Sequence, residues 1–159
     1  MKTKNTKEFF LSTERLQLRD FKSTDLDIFL SYRSDPVLCE FQDFTIHSHE
    51  EAIDFLRQQE NIKIGNTENW KQIAISNHSG QLLGDCAFKC KHEEARLAEI
   101  GITIRKEYHN QGIAYEALNA LLEYAFKNLK IHKILAVVDI RNTASQKNSR
   151  PPCSVFHCQ

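Results

Sequence analysis

This 159-residue chain has no net charge: 21 Lys and Arg balance 21 Asp and Glu. Without a field of one sign, nothing draws the protein as a whole toward nucleic acid or anionic lipid. It also lacks a run of about 18 apolar residues, and its first 16 residues carry no apolar stretch of signal-peptide length before Glu14 and Arg15 intervene. The expectation is a cytoplasmic protein with no membrane partner. The five cysteines, Cys39, Cys86, Cys90, Cys153 and Cys158, are an odd number with no C-x-x-C pair. They fit neither a disulfide framework nor a zinc site and read as buried thiols. Cys86 and Cys90 share a strand face roughly 13 Å apart, too far to bridge. No histidine pair has helical spacing beside a carboxylate, so no metal is implied. Neither G-x-x-x-x-G-K-[ST] nor G-x-G-x-x-G occurs, which removes most NTPases and dehydrogenases.

What is present has the size of one domain, able to bury well over half of its extended surface. Residues 1–8 are polar and read as a loose arm, with the N-terminal arm bounded at residue 12. From Thr13 to Phe21, Leu16 and Leu18 alternate with polar residues as in a half-buried strand. Ser23, Thr24 and Asp25 can cap a helix carrying Leu26, Phe29 and Leu30 that stops before Pro36. A second helix follows the cap Ser48, with Ala52, Ile53, Phe55 and Leu56 as its buried stripe. Trp70 to Ile75 and Leu82 to Phe88 form a hairpin around Asn77-His78-Ser79-Gly80, where Gly80 can take positive φ. A third antiparallel strand puts Ile100, Ile102 and Ile104 on one face and Glu99, Gly101 and Thr103 on the other.

After Gly112, apolar residues from Ala114 to Leu129 recur at three- and four-residue steps, the strongest helical pattern in the chain. The run Ile131 to Ile140 then reads as a strand covered on both faces. The junction Arg105 to Ala117 is therefore strand, short glycine-bearing loop and long helix. The first amides of a helix lack internal partners and carry the positive end of its dipole, so such a junction can hold phosphate oxygens. A plain packing turn would look the same.

The segments Glu99-Ile100-Gly101-Ile102, Asn110 to Ala117, and Asn142-Thr143-Ala144-Ser145, in that order, resemble the acetyl-CoA site of the GNAT N-acetyltransferases. The opening Thr13-Glu14-Arg15-Leu16-Gln17-Leu18-Arg19 is similar to the first strand of that superfamily's RimJ/RimL-like branch. The resemblance spans 13–147 and implies an α+β fold, a mixed, mostly antiparallel sheet flanked by helices. It implies acetyl-CoA as cosubstrate and direct acetyl transfer to a primary amine on a protein N-terminus or a small molecule. By the same resemblance, Ile102, Thr103 and Ile104 offer main-chain hydrogen bonds to pantetheine. Asn110, Gln111, Gly112, Ile113, Ala114 and Tyr115 wrap the pyrophosphate, and Asn142 and Ser145 flank the pantetheine arm. His109 stands where the superfamily pattern has Gln or Arg, which removes one phosphate contact.

Glu99 is the candidate general base, since the resemblance places carboxylates on this strand; a solvent-facing strand glutamate is the competing reading. Glu116 reads as a first-turn glutamate favoured by the helix dipole, and Tyr108 and Tyr115 as packing residues or cofactor contacts. An acyl-enzyme on Cys86 or Cys90 lacks a paired base. The other class of function that fits is an acyl-CoA-binding domain with little or no turnover and a regulatory or assembly role. Phe41, Phe44 and Trp70 are candidates for the acceptor wall.

Residues 148–159 depart from the resemblance. Pro151-Pro152 blocks helix continuation, and the segment reads as a truncated or divergent ending in which the last strands are missing. On that reading the 131–140 strand exposes an edge that favours self-association, and no tyrosine can be named to protonate the leaving thiolate.

Overall fold

The computed structural model describes residues 9–40, 42, 44–92, 96–136 and, for the backbone, 155–157. Among the described residues seven strands form a single sheet in chain order. They are β1 (Phe10–Ser12), β2 (Leu16–Arg19), β3 (Lys71–Asn77), β4 (Leu82–His92), β5 (Leu97–Ile104), β6 (Lys133–Ala136) and β7 (Val155–His157). All neighbouring pairs are antiparallel except β5 with β6. Helices α1 (Leu26–Arg33) and α2 (His49–Gln59) join β2 to β3, and α3 (Ile113–Lys127) is the crossover from β5 to the parallel β6, as parallel pairing requires.

Period-two alternation sends each strand's side chains to two separate cores. Ile73, Ile75, Phe88, Ile100 and Ile104 meet Ala117, Leu118, Leu121 and Ala125 of α3 on one face. On the other, Ala74 and Leu82 meet Phe29, Tyr32, Ile46 and Ala52 beneath α1 and α2. Phe55 links those helices, its ring centroid 5.6 Å from that of Phe29 and 4.6 Å from that of Phe44. Ser48 caps α2 as its sequence suggests, accepting from the Glu51 N–H at 3.1 Å, and Gly80 takes φ +88° in the β3–β4 turn.

Two expectations change. The N-terminal arm ends sooner than residue 12, because Phe10–Ser12 pairs with β2 as an edge strand. Three residues are too few to show alternation, so the pairing partner decides them. At the other end, the 131–140 strand does not lack a neighbour: Val155–His157 lies antiparallel to it, with Phe156 opposite Ile134. Three extended residues suffice for a strand. Residues 137–140 fall outside the described residues.

The α1 face of the sheet holds a buried polar cluster. The Asp85 carboxylate, fully buried, accepts hydrogen bonds from Tyr32 Oη, Gln72 Nε2 and both Nε and Nη2 of Arg33. Arg33 Nη1 also donates to Gln42 Oε1 at 2.5 Å, and the Gln42 amide meets Thr103 Oγ1 at 2.6 Å. Burial, followed by the Asp85 charge, pushes the Tyr32 phenol well up. A buried carboxylate is tolerated only with such compensation, and here three side chains from α1 and β3 converge on one position of β4, with Gln42 of the α1–α2 connection behind Arg33.

Gly84 has the tightest surroundings of the chain's glycines: a Cβ there would lie 2.2 Å from the Thr103 carbonyl oxygen and 2.9 Å from Ile104 Cα. Both are backbone atoms of β5 and cannot swing aside. Gly84→Ala is expected to pry β4 from β5 at the cost of overpacking, about 1–3 kcal/mol, read as a fall of several degrees in Tm. A variant melting with the parent would show that the two strands have slack there.

Candidate functional site

The site begins with the hydrogen-bonding direction of β5. Along an extended strand, successive residues aim their N–H and C=O at opposite edges. The Arg105 N–H donates to Leu83 C=O at 2.9 Å, and the register runs unbroken through Thr103↔Asp85 and Gly101↔Ala87. Thr103 and Gly101 therefore direct their main chain at β4, while Ile102 and Ile104 direct theirs at the opposite edge. Pairing with β6 covers that edge only from Leu97↔Lys133 to Ile100↔Ala136 among the described residues. Among the described residues no strand pairs with Ile102 and Ile104 on that edge, and the Ile104 carbonyl already accepts from His109 Nε2 at 2.7 Å. Of the three residues expected to meet pantetheine, Thr103 has its main chain turned to β4 and its hydroxyl held by Gln42.

Beyond Ile104 the chain makes a 3-10 turn at Lys106–Tyr108 and reaches α3 through two left-handed residues, Asn110 at φ +59° and Gly112 at φ +75°. These are the residue types that accept such a conformation at least cost. Gln111 between them donates from Nε2 to Glu107 C=O at 3.0 Å, closing the turn. Gly112 is the N-cap of α3 and no side chain caps the helix. The first intrahelical bond runs from Glu116 N–H to Gly112 C=O. The amides of Ile113, Ala114 and Tyr115 therefore precede the helical ladder at the positive end of a 15-residue helix, an anion-binding geometry.

The turn is held from behind by residues of the β1–β2 hairpin. Arg15 donates from Nη1 to the Gln111 carbonyl at 2.8 Å and from Nε to Glu116 Oε2 at 2.6 Å. Glu116 Oε1 accepts from Thr13 Oγ1 at 2.5 Å and from the Arg15 N–H at 3.0 Å. Partial burial by itself would raise the Glu116 carboxyl, but the bonds from Thr13 and Arg15 hold it below the usual range. Glu116 is thus structural, as its first-turn position suggests. The family resemblance includes Thr13 and Arg15, but their hold on the turn had no sequence signal, because their partners lie about a hundred residues away.

Glu99 lies on the α1 side of β5, five residues and about 16 Å before Ile104. Its side chain is 18% exposed, and Oε1 pairs with Lys91 Nζ at 2.9 Å. Between Glu99 and Thr103 on this face, Gly101 is exposed, and among the described residues a Cβ there would meet nothing within 4 Å. Glu99 thus borders an open patch of strand. Tyr108 packs, with the Arg105 guanidinium 5.3 Å from its ring centroid, whereas Tyr115 is 59% exposed at the mouth of the loop. Phe44 belongs to the core under α2, Trp70 is part-exposed, and Phe41 lies outside the described residues. Asn142 and Ser145 also lie outside them. Cys86 is buried and desolvation, reinforced by Asp85, pushes its thiol far up, which makes it inert as a nucleophile.

Residues 15–149 match the family model described as an acetyltransferase (GNAT) domain. The uncharacterized N-acetyltransferase p20 of Bacillus licheniformis is 30% identical over 138 residues, 86% of this chain and 77% of that protein. The crystal structure of a GNAT-family acetyltransferase from Bacillus anthracis superposes with a TM-score of 0.75 at 26% identity, covering 89% of this chain and 82% of that one. A spermidine N-acetyltransferase from Vibrio cholerae, solved with CoA and spermine, shares the fold at a TM-score of 0.72 and 20% identity, covering 86% and 78%.

Gly112→Val places a β-branched residue at φ +75°, a strained position worth roughly 1–2 kcal/mol, and moves the amides of the turn. CoA affinity measured by calorimetry is expected to fall at least about 10-fold, or ~1.4 kcal/mol; a folded variant with parental affinity would refute the cradle. The depressed Glu116 value gives a pH dependence of defined sign. Its contribution to stability is complete above the ordinary carboxylate range near pH 4.3 and is lost as pH falls through the lower folded value. Thermal melts should show Glu116→Gln destabilised relative to the parent at pH 7, with the difference shrinking toward pH 3.

Proposed function

Because the chain belongs to the GNAT acetyltransferase family, whose cosubstrate is acetyl-CoA, we propose that it transfers acetyl directly to a primary amine, on a protein N-terminus or on a small molecule. The observation that carries this reading is the union of two features at one end of β5. The main-chain edge at Ile102 and Ile104, unpaired among the described residues, leads by a short turn to the left-handed N-terminus of α3 at Gly112. The first suits an extended, amide-bearing arm, which can add to a strand edge as another strand would. The second suits a diphosphate. Pantetheine and pyrophosphate are joined in that order in CoA, so both features would be engaged by one molecule. In this reading Asn110 to Tyr115 hold the pyrophosphate and Ile102 with the Ile104 N–H meets the pantetheine. Asn142 and Ser145 flank the arm, as the family resemblance implies.

The thioester end of such an arm would lie along β5 toward Glu99. An amine on the α1 side of the strand, over the open patch at Gly101, would attack the acetyl carbonyl. A C–N bond forms, the C–S bond breaks, and the proton released from nitrogen passes to the Glu99 carboxylate, directly or through water. Lys91 holds Oε1 of Glu99, which orients the carboxylate. The sulfur leaves as thiolate and is protonated to the free thiol of CoA. Positioning supplies much of the acceleration in such a transfer, and the base adds the rest.

Acceptor identity is decided by screening release of CoA from acetyl-CoA against N-terminal peptides, polyamines and aminoglycosides. Polyamines belong in the panel because the Vibrio cholerae neighbour is a spermidine N-acetyltransferase. Turnover with at least one class supports the proposal. Thermal stabilisation by CoA with no turnover on any amine would instead make the chain a CoA-binding domain without catalysis. Glu99→Gln is expected to lower turnover by about 10²–10⁴-fold while leaving CoA affinity nearly intact. Equal activity in variant and parent would return Glu99 to the status of a surface residue.

A further inference from the structure

We infer that Arg15 is a positioning residue that sets the Gln111–Gly112 peptide plane, so that the Gly112 N–H faces the pyrophosphate. The inference rests on the reading of Asn110 to Tyr115 as the pyrophosphate cradle. In a planar trans peptide the carbonyl of one residue and the N–H of the next point in opposite directions. Arg15 Nη1 holds the Gln111 carbonyl at 2.8 Å on the hairpin side of the turn. The N–H of Gly112 is therefore directed away from the hairpin. Without that hold the plane is free to turn over, because glycine accepts either sign of φ with little penalty, and the flipped state would present a carbonyl oxygen to an incoming phosphate.

The clamp is specific to a guanidinium. Two nitrogens of its fork are used at once, Nη1 on the Gln111 carbonyl and Nε on Glu116, while Nη2 stands 3.3 Å from where a Cβ on Gly112 would lie. Glu116 fixes the other side of the fork and is itself fixed by Thr13 and the Arg15 N–H. A lysine ammonium keeps the charge but cannot span two acceptors in this planar arrangement. Glu116 neutralises much of the guanidinium charge, so the contribution is one of orientation, with charge secondary.

The test compares CoA with pantetheine, which lacks the pyrophosphate, by calorimetry on the full chain and on Arg15→Met, Arg15→Lys and Arg15→Gln. Amide NMR of Gly112 runs in parallel. The parent is expected to bind CoA much more tightly than pantetheine and to shift its Gly112 amide resonance on CoA addition. Each variant should lose about 10-fold in CoA affinity with pantetheine affinity unchanged, and its Gly112 resonance should no longer respond to CoA. Parental CoA affinity in Arg15→Lys would overturn the inference by showing that charge alone suffices. An equal loss for CoA and pantetheine would overturn it as general damage to the fold, and folding of any one variant is enough for these comparisons. A parent that binds CoA no better than pantetheine would instead refute the cradle itself, and the inference with it.

Discussion

Strand β5 pairs with β4 throughout but, among the described residues, with β6 over only its first half, and the site is arranged around that inequality. A strand bonded on both edges has no main chain to offer a ligand. One bonded on a single edge offers alternate residues, which among the described residues are Ile102 and Ile104. The unpaired stretch comes just before the turn into α3, so strand edge and helix N-terminus adjoin without any side chain having to bring them together. The crossover explains the proximity: a parallel partner for β5 requires a long crossover connection, and here that connection is α3, which begins just after the short turn 105–112.

The β5 main chain is held in place by what surrounds it. Gly84 allows β4 to approach so closely that no Cβ fits. From the α1 face the chain of contacts from Asp85 through Arg33 and Gln42 ends on the Thr103 hydroxyl. Removing one member of such a cluster strands the others in a buried place, so the helical layer and the strand are bound to a single arrangement. At the far end the β1–β2 hairpin grips the turn through Arg15 and Glu116. The two sides of the sheet thereby hold the same strand and its exit turn by different means, a buried network on one side and a part-exposed clamp on the other.

Much of this was legible in the sequence, for reasons that are local. Hydrophobic period marked β5 and α3; Ser48 and Gly80 marked a cap and a turn; the order of Glu99, Gly112 and the long helix pointed to a family that the comparisons support. These signals depend on neighbours within a few residues. Glu116 could be read as a first-turn acid for the same reason, although its partners could not be named.

The sequence by itself determined the elements, the two-faced pattern of β5 and the strand–loop–helix junction, because each follows from side-chain period and backbone preference over short stretches. Only the tertiary structure decided that Phe10–Ser12 is an edge strand, that Val155–His157 lies on β6, that Thr103 turns its main chain to β4 while Ile102 and Ile104 face outward, and that Arg15 reaches the Gln111 carbonyl. Each of those depends on which strand lies beside which and in what register. Apart from the β1–β2 pairing, whose partners lie five to nine positions apart, that choice is made by contacts between residues tens to a hundred positions apart, which no short-range pattern encodes.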